Sequence, residues 1–252
     1  MRGGGSQTPL PRIGNFKWMS LFNVTKKCES FANIDITIWD AASSGNVEVL
    51  SALIQDRGLD PDVSDALGST ALLLAVTNFQ LDAVHFLLTE GKANPNQRSS
   101  GIGSVPLITA VTSGQEAVMN LLLEAGADAN AADADGRTAL HYCCREGYST
   151  FAKALIDAGA DVDARTLARQ ETPLMWATMK GNYYCAETLL QGGALSSINE
   201  SLRIASEQSH NGLCQLLLQY GADKLSLDTN GQNAVGLASN NLSGTRSLLK
   251  NY

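Results

Sequence analysis

Apolar residues return along this chain in one arrangement at a nearly constant interval. Leu140 is followed three and four residues later by Cys143 and Cys144, which places all three on one face of a helix. Ala152, Leu155 and Ile156 share that spacing and predict a second short helix behind the first. Small or apolar residues in the register of Cys143 stand at Ala41, Ala75, Ala110, Ala177, Ala205 and Ala238, so the series advances in steps of 34, 35, 33, 34, 28 and 33 residues. Twelve residues after each of its first six members comes an apolar pair: Leu53-Ile54, Leu87-Leu88, Leu122-Leu123, Leu155-Ile156, Leu189-Leu190 and Leu217-Leu218. Each unit reads as two short helices. Neither has enough apolar surface to stand alone, so the pairs must stack and join their leucines into one continuous core.

The connections carry their own signals. Gly58, Gly91, Gly126, Gly159, Gly192 and Gly221 follow the second helices and suit the left-handed position that ends a helix. Polar segments beyond them, such as Asp128 to Gly136 and Asp161 to Gln170, predict projecting hairpin fingers. A threonine after each finger is placed to cap the next first helix.

These residues resemble the ankyrin-repeat family, whose period is about 33 residues. The match is carried by Thr138-Ala139-Leu140-His141, Thr172-Pro173-Leu174-Met175, Leu121-Leu122-Leu123-Glu124-Ala125-Gly126-Ala127-Asp128-Ala129-Asn130 and Tyr220-Gly221-Ala222-Asp223. The resemblance implies an all-α repeat solenoid of stacked helix-turn-helix units with projecting β-hairpin fingers. It covers residues 34–252, divided as 34–66, 67–101, 102–134, 135–168, 169–196, 197–229 and 230–252, behind a basic N-terminal extension at 1–33. It also implies a binding surface on the concave side, where first helices and fingers do not hold the core together.

The array departs from its own pattern in several places. Phe79 stands where a glycine usually joins the two helices, and the finger from Asn94 to Gly103 is long, which predicts a mobile loop. The step of 28 residues leaves no room for a finger between the fifth and sixth units, predicting either a notch or a change of curvature. The last unit begins with Asn233-Ala234-Val235 and carries the polar residues Asn240, Asn241, Ser243, Thr245, Arg246, Ser247 and Lys250, as a terminal cap should. The first unit, with Ile36, Ile38 and Trp39, lacks the motif threonine and is read as the opposite cap.

Charge narrows the class of partner. The chain has 18 Lys/Arg and 25 Asp/Glu, but residues 1–28 hold five of the cations (Arg2, Arg12, Lys17, Lys26, Lys27) and no acid, leaving 13 against 25 in the body. Such a body repels a phosphate backbone, so no nucleic-acid partner is expected. No apolar run approaches the roughly 20 residues that span a bilayer, so no membrane insertion is expected. The basic extension, with Phe16, Trp18, Met19, Leu21 and Phe22, leaves three readings open: packing over the first repeat, targeting to an organelle, or separate docking on a partner. A cytoplasmic location follows unless the extension is a targeting segment, in which case the location is nuclear or organellar.

Candidate chemistry is sparse. The five cysteines are odd in number, lack a Cys-x-x-Cys pair and suit reduced, buried thiols. Cys143 and Cys144 lie beside His141, yet neighbours on a helix diverge by about 100° and both cysteines replace core alanines. The resemblance gives His141 a structural role in hydrogen bonding, and His85 and His210 fall on second-helix segments at the surface. Asp133 to Gly136 fails as a calcium loop, because with Gly136 sixth the first ligand is Ala131 and the twelfth Tyr142. No phosphate loop or serine elbow is present. The expectation is a protein without enzymatic activity, metal or cofactor.

A partner protein is therefore the expected ligand, bound by a scaffold, inhibitor or assembly factor that is monomeric or part of a hetero-complex. A structural subunit of a larger, organellar assembly is the alternative, and an enzyme or nucleic-acid adaptor a remote one. On the first helices Tyr142 and Trp176 are large aromatics on neighbouring units, flanked by Arg137, Arg145, Met179 and Lys180, with Arg165 and Arg169 in the finger between. Trp, Tyr and Arg carry most binding energy in protein interfaces. The competing reading has Trp176 and Tyr142 packing on each other while the cations solubilise the surface.

Overall fold

A computed structural model describes residues 37–99, 103–238 and 244–252. The basic extension at 1–33 with Cys28, Ile36 of the first unit, Ser100 and Gly101 of the long finger, and Asn240, Asn241 and Ser243 of the last unit lie outside the described residues. Thr37–Tyr252 forms one compact unit.

Among the described residues seven helix pairs follow one another: α1 Ile38–Ser44 with α2 Val47–Ser51, α3 Ala71–Thr77 with α4 Leu81–Thr89, α5 Pro106–Thr112 with α6 Glu116–Glu124, α7 Ala139–Glu146 with α8 Ser149–Asp157, α9 Pro173–Lys180 with α10 Tyr183–Gln191, α11 Ile198–Glu207 with α12 Asn211–Gln219, and α13 Ala234–Leu237 with α14 Thr245–Asn251. Odd helices pack on the neighbouring odd helices and even on even. Leu72, Leu107, Leu140, Leu174 and Leu202 lie on successive odd helices and are wholly buried, so the repeated leucines do form one continuous seam. No helix among the described residues is long and apolar enough to cross a membrane.

Threonine caps account for several helix starts. Thr70 accepts from the backbone N–H of Leu73, and Thr172 from that of Met175. The first unit is capped as well: Thr37, one residue beyond the motif position, accepts from the N–H of Asp40, whose carboxylate in turn accepts from the N–H of Thr37. The motif register points to position 36, where the sequence has isoleucine, so this cap is not legible from the register alone. The fingers close as tight turns, with single antiparallel bridges at Ser64–Thr70 and Ala132–Thr138. An aspartate organises the tip of three of them. Asp133 Oδ1, for instance, accepts from the N–H groups of Asp135 and Arg137, each at 2.9 Å.

The left-handed residue after the second helix is not always the glycine expected. Lys92 takes that conformation in place of Gly91, and Gly193 in place of Gly192. The first shift reflects an extra residue: Ala93 N–H reaches six residues back to Leu87, whereas Ala127 N–H reaches five back to Leu122. The second reflects a choice between adjacent glycines, settled by Ala194 N–H bonding Leu189. The first repeat carries an extra residue too, with Leu59 N–H bonding Leu53, and accommodates it as a π-helical turn at Ala52–Asp56. Phe79 adopts φ 60° at the interhelical turn and is 62% exposed.

A side-chain ladder links one repeat to the next. Asn96 accepts from the N–H of Asp128 at 2.7 Å and donates to the Gly126 carbonyl at 3.0 Å. Asn130 repeats this with Asp161 at 2.7 Å and Gly159 at 3.1 Å. Asp163 holds the same position one repeat later, but an aspartate has no N–H to offer, and its Oδ1 is buried without a hydrogen-bond partner. Asp62, also an aspartate, accepts from the N–H of Asn94 at 2.8 Å, so the ladder breaks at Asp163 because no finger follows to supply the N–H as well as for want of a donor. Gly193 is followed directly by Ala194 to Ser197 and then α11, and no finger stands there.

Two stability outcomes follow. Leu140→Ala should cost about 2–5 kcal/mol by opening a cavity in the seam, read as a lowered denaturation midpoint. Asp163→Asn should restore the donor toward the Gly193 carbonyl and raise stability by about 1 kcal/mol. An unchanged or lowered midpoint in the second variant would show that the ladder break carries no energetic penalty.

Candidate partner-binding site

The stacking of α7 on α9 brings Tyr142 and Trp176 together. Their rings meet edge to face with centroids 6.0 Å apart and planes at 84°, and His141 meets the same tryptophan at 5.4 Å and 76°. Carboxylates from the fingers anchor both rings. Tyr142 Oη donates to Asp133 at 2.6 Å, and Trp176 Nε1 donates to Glu171 at 2.8 Å. Tyr142 is left only 9% exposed, so it supports the site from below, and Trp176 is half-buried.

The cations lie over this aromatic floor. The Arg145 guanidinium sits 4.8 Å from the Tyr142 ring centroid and 5.9 Å from that of Trp176, and Arg137 sits 6.0 Å from Trp176. Stacking on a ring face orients a guanidinium while leaving its N–H edge for a ligand. Each has an acid beside it: Arg145 contacts Glu146 at 2.7 Å and Arg137 contacts Asp135 at 2.8 Å. These pairs are open to solvent, and such pairs are worth little. Arg169 reaches Glu171 at 3.7 Å, and a depression of about 250 Å³ lies among Arg137, Arg169, Thr166, Glu171 and Trp176.

The remaining residues singled out in the sequence stand apart. Arg165 turns to the Gln170 carbonyl at 3.2 Å and Ser196 Oγ at 3.4 Å. Met179 and Lys180 lie at the end of α9, half-buried and exposed respectively, outside the Tyr142–Trp176 cluster. Of the eight, Arg137, Tyr142, Arg145, Arg169 and Trp176 come together. The carboxylates of Asp133, Asp135 and Glu171 that hold them were not anticipated, although the recurring finger-tip aspartate was visible in the spacing of Asp65 and Asp133 before their respective threonines.

The titratable groups behind the rings are committed to structure. His141 Nδ1 accepts from the N–H of Thr138 at 3.2 Å, while Nε2 faces the Glu171 carbonyl at 3.1 Å. Burial depresses its pKa, outweighing the bond to Glu171 and the nearby Asp133. Burial pushes Asp133 upward, but the hydrogen bonds from Tyr142 and the amides of Arg137 and Asp135 outweigh it and hold the carboxyl below its usual value. Cys143, Cys144, Cys185 and Cys214 are unpaired and buried. Burial raises the thiol pKa of both Cys143 and Cys144, which keeps them protonated at neutral pH. His85 is exposed on α4, but His210 departs from the sequence reading: it precedes α12 as its N-cap residue, half-buried against the turn at Gly181.

Comparison with known proteins extends this picture. A family model described as ankyrin repeats in three copies matches residues 38–133 and again 107–201. The human transient receptor potential cation channel subfamily A member 1 is 30% identical over 186 residues, which cover 73% of this chain and 16% of that protein. The E3 ubiquitin-protein ligase KEG of Arabidopsis thaliana is 28% identical over 231 residues, covering 83% of this chain and 14% of the ligase. The chain thus spans only a small part of these relatives. Among solved structures, the ankyrin repeat domain of Bcl-3, a member of the IkappaB protein family, superposes with a TM-score of 0.75 at 26% identity, covering 86% of this chain and 98% of that domain. The ankyrin repeat domain of human ASB11 gives 0.69 at 25% identity, covering 85% and 96%.

The burial of His141 makes stability depend on pH. Its folded pKa lies below the ordinary value of about 6.5, so its contribution is complete above that value and is lost as pH falls through the folded pKa. Stability should decline on acidification from about pH 6.5. His141→Gln, which keeps a capping side chain, should flatten the decline in urea melts. An identical pH profile in the two proteins would remove His141 as its source.

Proposed function

The chain belongs to the ankyrin-repeat family, and from that premise we propose that it is a non-catalytic module that binds a partner protein through its odd helices and fingers. The observation that carries this reading is the pair of guanidiniums, Arg137 and Arg145, held over the fixed Tyr142–Trp176 floor. Rigid aromatics and stacked arginines lose little entropy on binding, which is why such groups dominate interface energies. The partner presents a carboxylate-bearing segment with an apolar side chain for the exposed part of Trp176.

A role without chemistry of its own is supported by where the reactive side chains sit. His141 is engaged at both ring nitrogens, and its neighbouring thiols are sealed in the core. Scaffolding, inhibition and subunit assembly all use the same physical act, occupation of this face by another chain. Which of them applies depends on what the partner does.

Capture from native lysate with the full chain as bait, followed by mass spectrometry, tests the reading. Arg137→Glu with Arg145→Glu should abolish capture of the specific partner while lowering the thermal midpoint only modestly, since both side chains are partly exposed and their ion pairs are open to solvent. Equal capture by the two baits would move the binding site elsewhere.

A further inference from the structure

The short step between the fifth and sixth repeats opens a second feature on the finger side. Fingers of neighbouring repeats lie against each other where both are present, as the Leu167 N–H donating to the Asp135 carbonyl at 2.9 Å attests. With no finger between α10 and α11, the seventh repeat's finger, residues 223–233 ahead of α13, lacks that neighbour, and its Leu227 is 62% exposed. Beside it lies a groove of about 570 Å³. Glu200, Arg203, Ile204 and Glu207 of α11 line it at helical spacing, the seventh finger forms another part of its lining, and Met175 reaches it from α9.

Its charge is opposite to that of the arginine patch. Three carboxylates, Glu200, Glu207 and Asp228, face one cation, Arg203. The arginine is turned inward, with 11% of its side chain exposed, pairing with Glu200 at 3.5 Å and donating to the Ser226 carbonyl at 3.4 Å. Asp228 is held as a carboxylate by the N–H groups of Asn230 and Gln232, each at 2.8 Å. Met175, Ile204 and Leu227 supply apolar surface between these charges.

We propose that this groove binds an extended segment of a partner protein in which lysine or arginine alternates with apolar residues. The cations meet Glu200, Glu207 and Asp228, and the intervening side chains lie on Met175, Ile204 and Leu227. The proposal rests on the protein-binding reading for the class of ligand, and on the missing finger for the place. Met175 and Trp176 are consecutive on α9, so the acidic groove and the arginine patch adjoin, and a partner crossing both must change the sign of its charge along its length.

The probe is a short fluorescein-labelled peptide alternating lysine and leucine, titrated into the full chain at low salt and followed by anisotropy. Saturable binding is expected, with a glutamate–leucine peptide of equal length failing to occupy the groove. Glu200→Gln with Glu207→Gln should weaken the lysine peptide by about tenfold. Met175→Lys, which leaves both carboxylates in place, should weaken it comparably. Two controls make the result specific: Glu116→Gln with Glu124→Gln, on the exposed side of α6, should leave binding intact, and so should Arg137→Glu with Arg145→Glu, which separates this groove from the arginine patch. Absence of binding, equal weakening by the α6 control, or full binding by both groove variants would overturn the proposal.

Discussion

A helix of two or three turns with one apolar stripe cannot hide that stripe unless another like it lies alongside, and the whole molecule is arranged around this constraint. The buried leucines Leu72, Leu107, Leu140, Leu174 and Leu202 meet it by forming a seam along the odd helices. Stability is then nearest-neighbour in character, each repeat depending on the two beside it. Once the seam is satisfied, finger tips and the open side of the odd helices are released from packing duties. Both candidate binding features lie on that released surface.

The seam was readable because it is periodic: a leucine with small residues three and four places on, and an apolar pair a fixed distance later, leaves few alternatives. Departures from the period were harder to place. The left-handed residue after the second helix moved to Lys92, because a single extra residue displaces a turn without leaving a local mark in the sequence. Thr37 caps the first helix from one position beyond the motif, and a search tied to the motif register passes over it. The absent finger between the fifth and sixth units was visible as a deficit of length, whereas the broken ladder at Asp163 required knowledge of which atoms face the next repeat.

The site was readable in part for the same reason. Residues of one register on neighbouring odd helices must be neighbours in space, so Tyr142 and Trp176 could be paired from spacing alone. Their burial could not, since it depends on Asp133 and Glu171 folding back from the fingers to accept from the two rings. The arginines divided on equally local grounds. Arg137 and Arg145 had an aromatic face within reach, while Arg165 found the Gln170 carbonyl.

The π-helical turn at Ala52–Asp56 bears on how such a molecule changes over generations. One surplus amino acid widens a single loop of backbone there, and the downstream leucines arrive in phase as though nothing had been added. Mutations that lengthen a repeat by one codon are thus survivable where the helix can swell locally. The spacing between repeats can therefore vary by a residue while the buried leucines keep their places against one another.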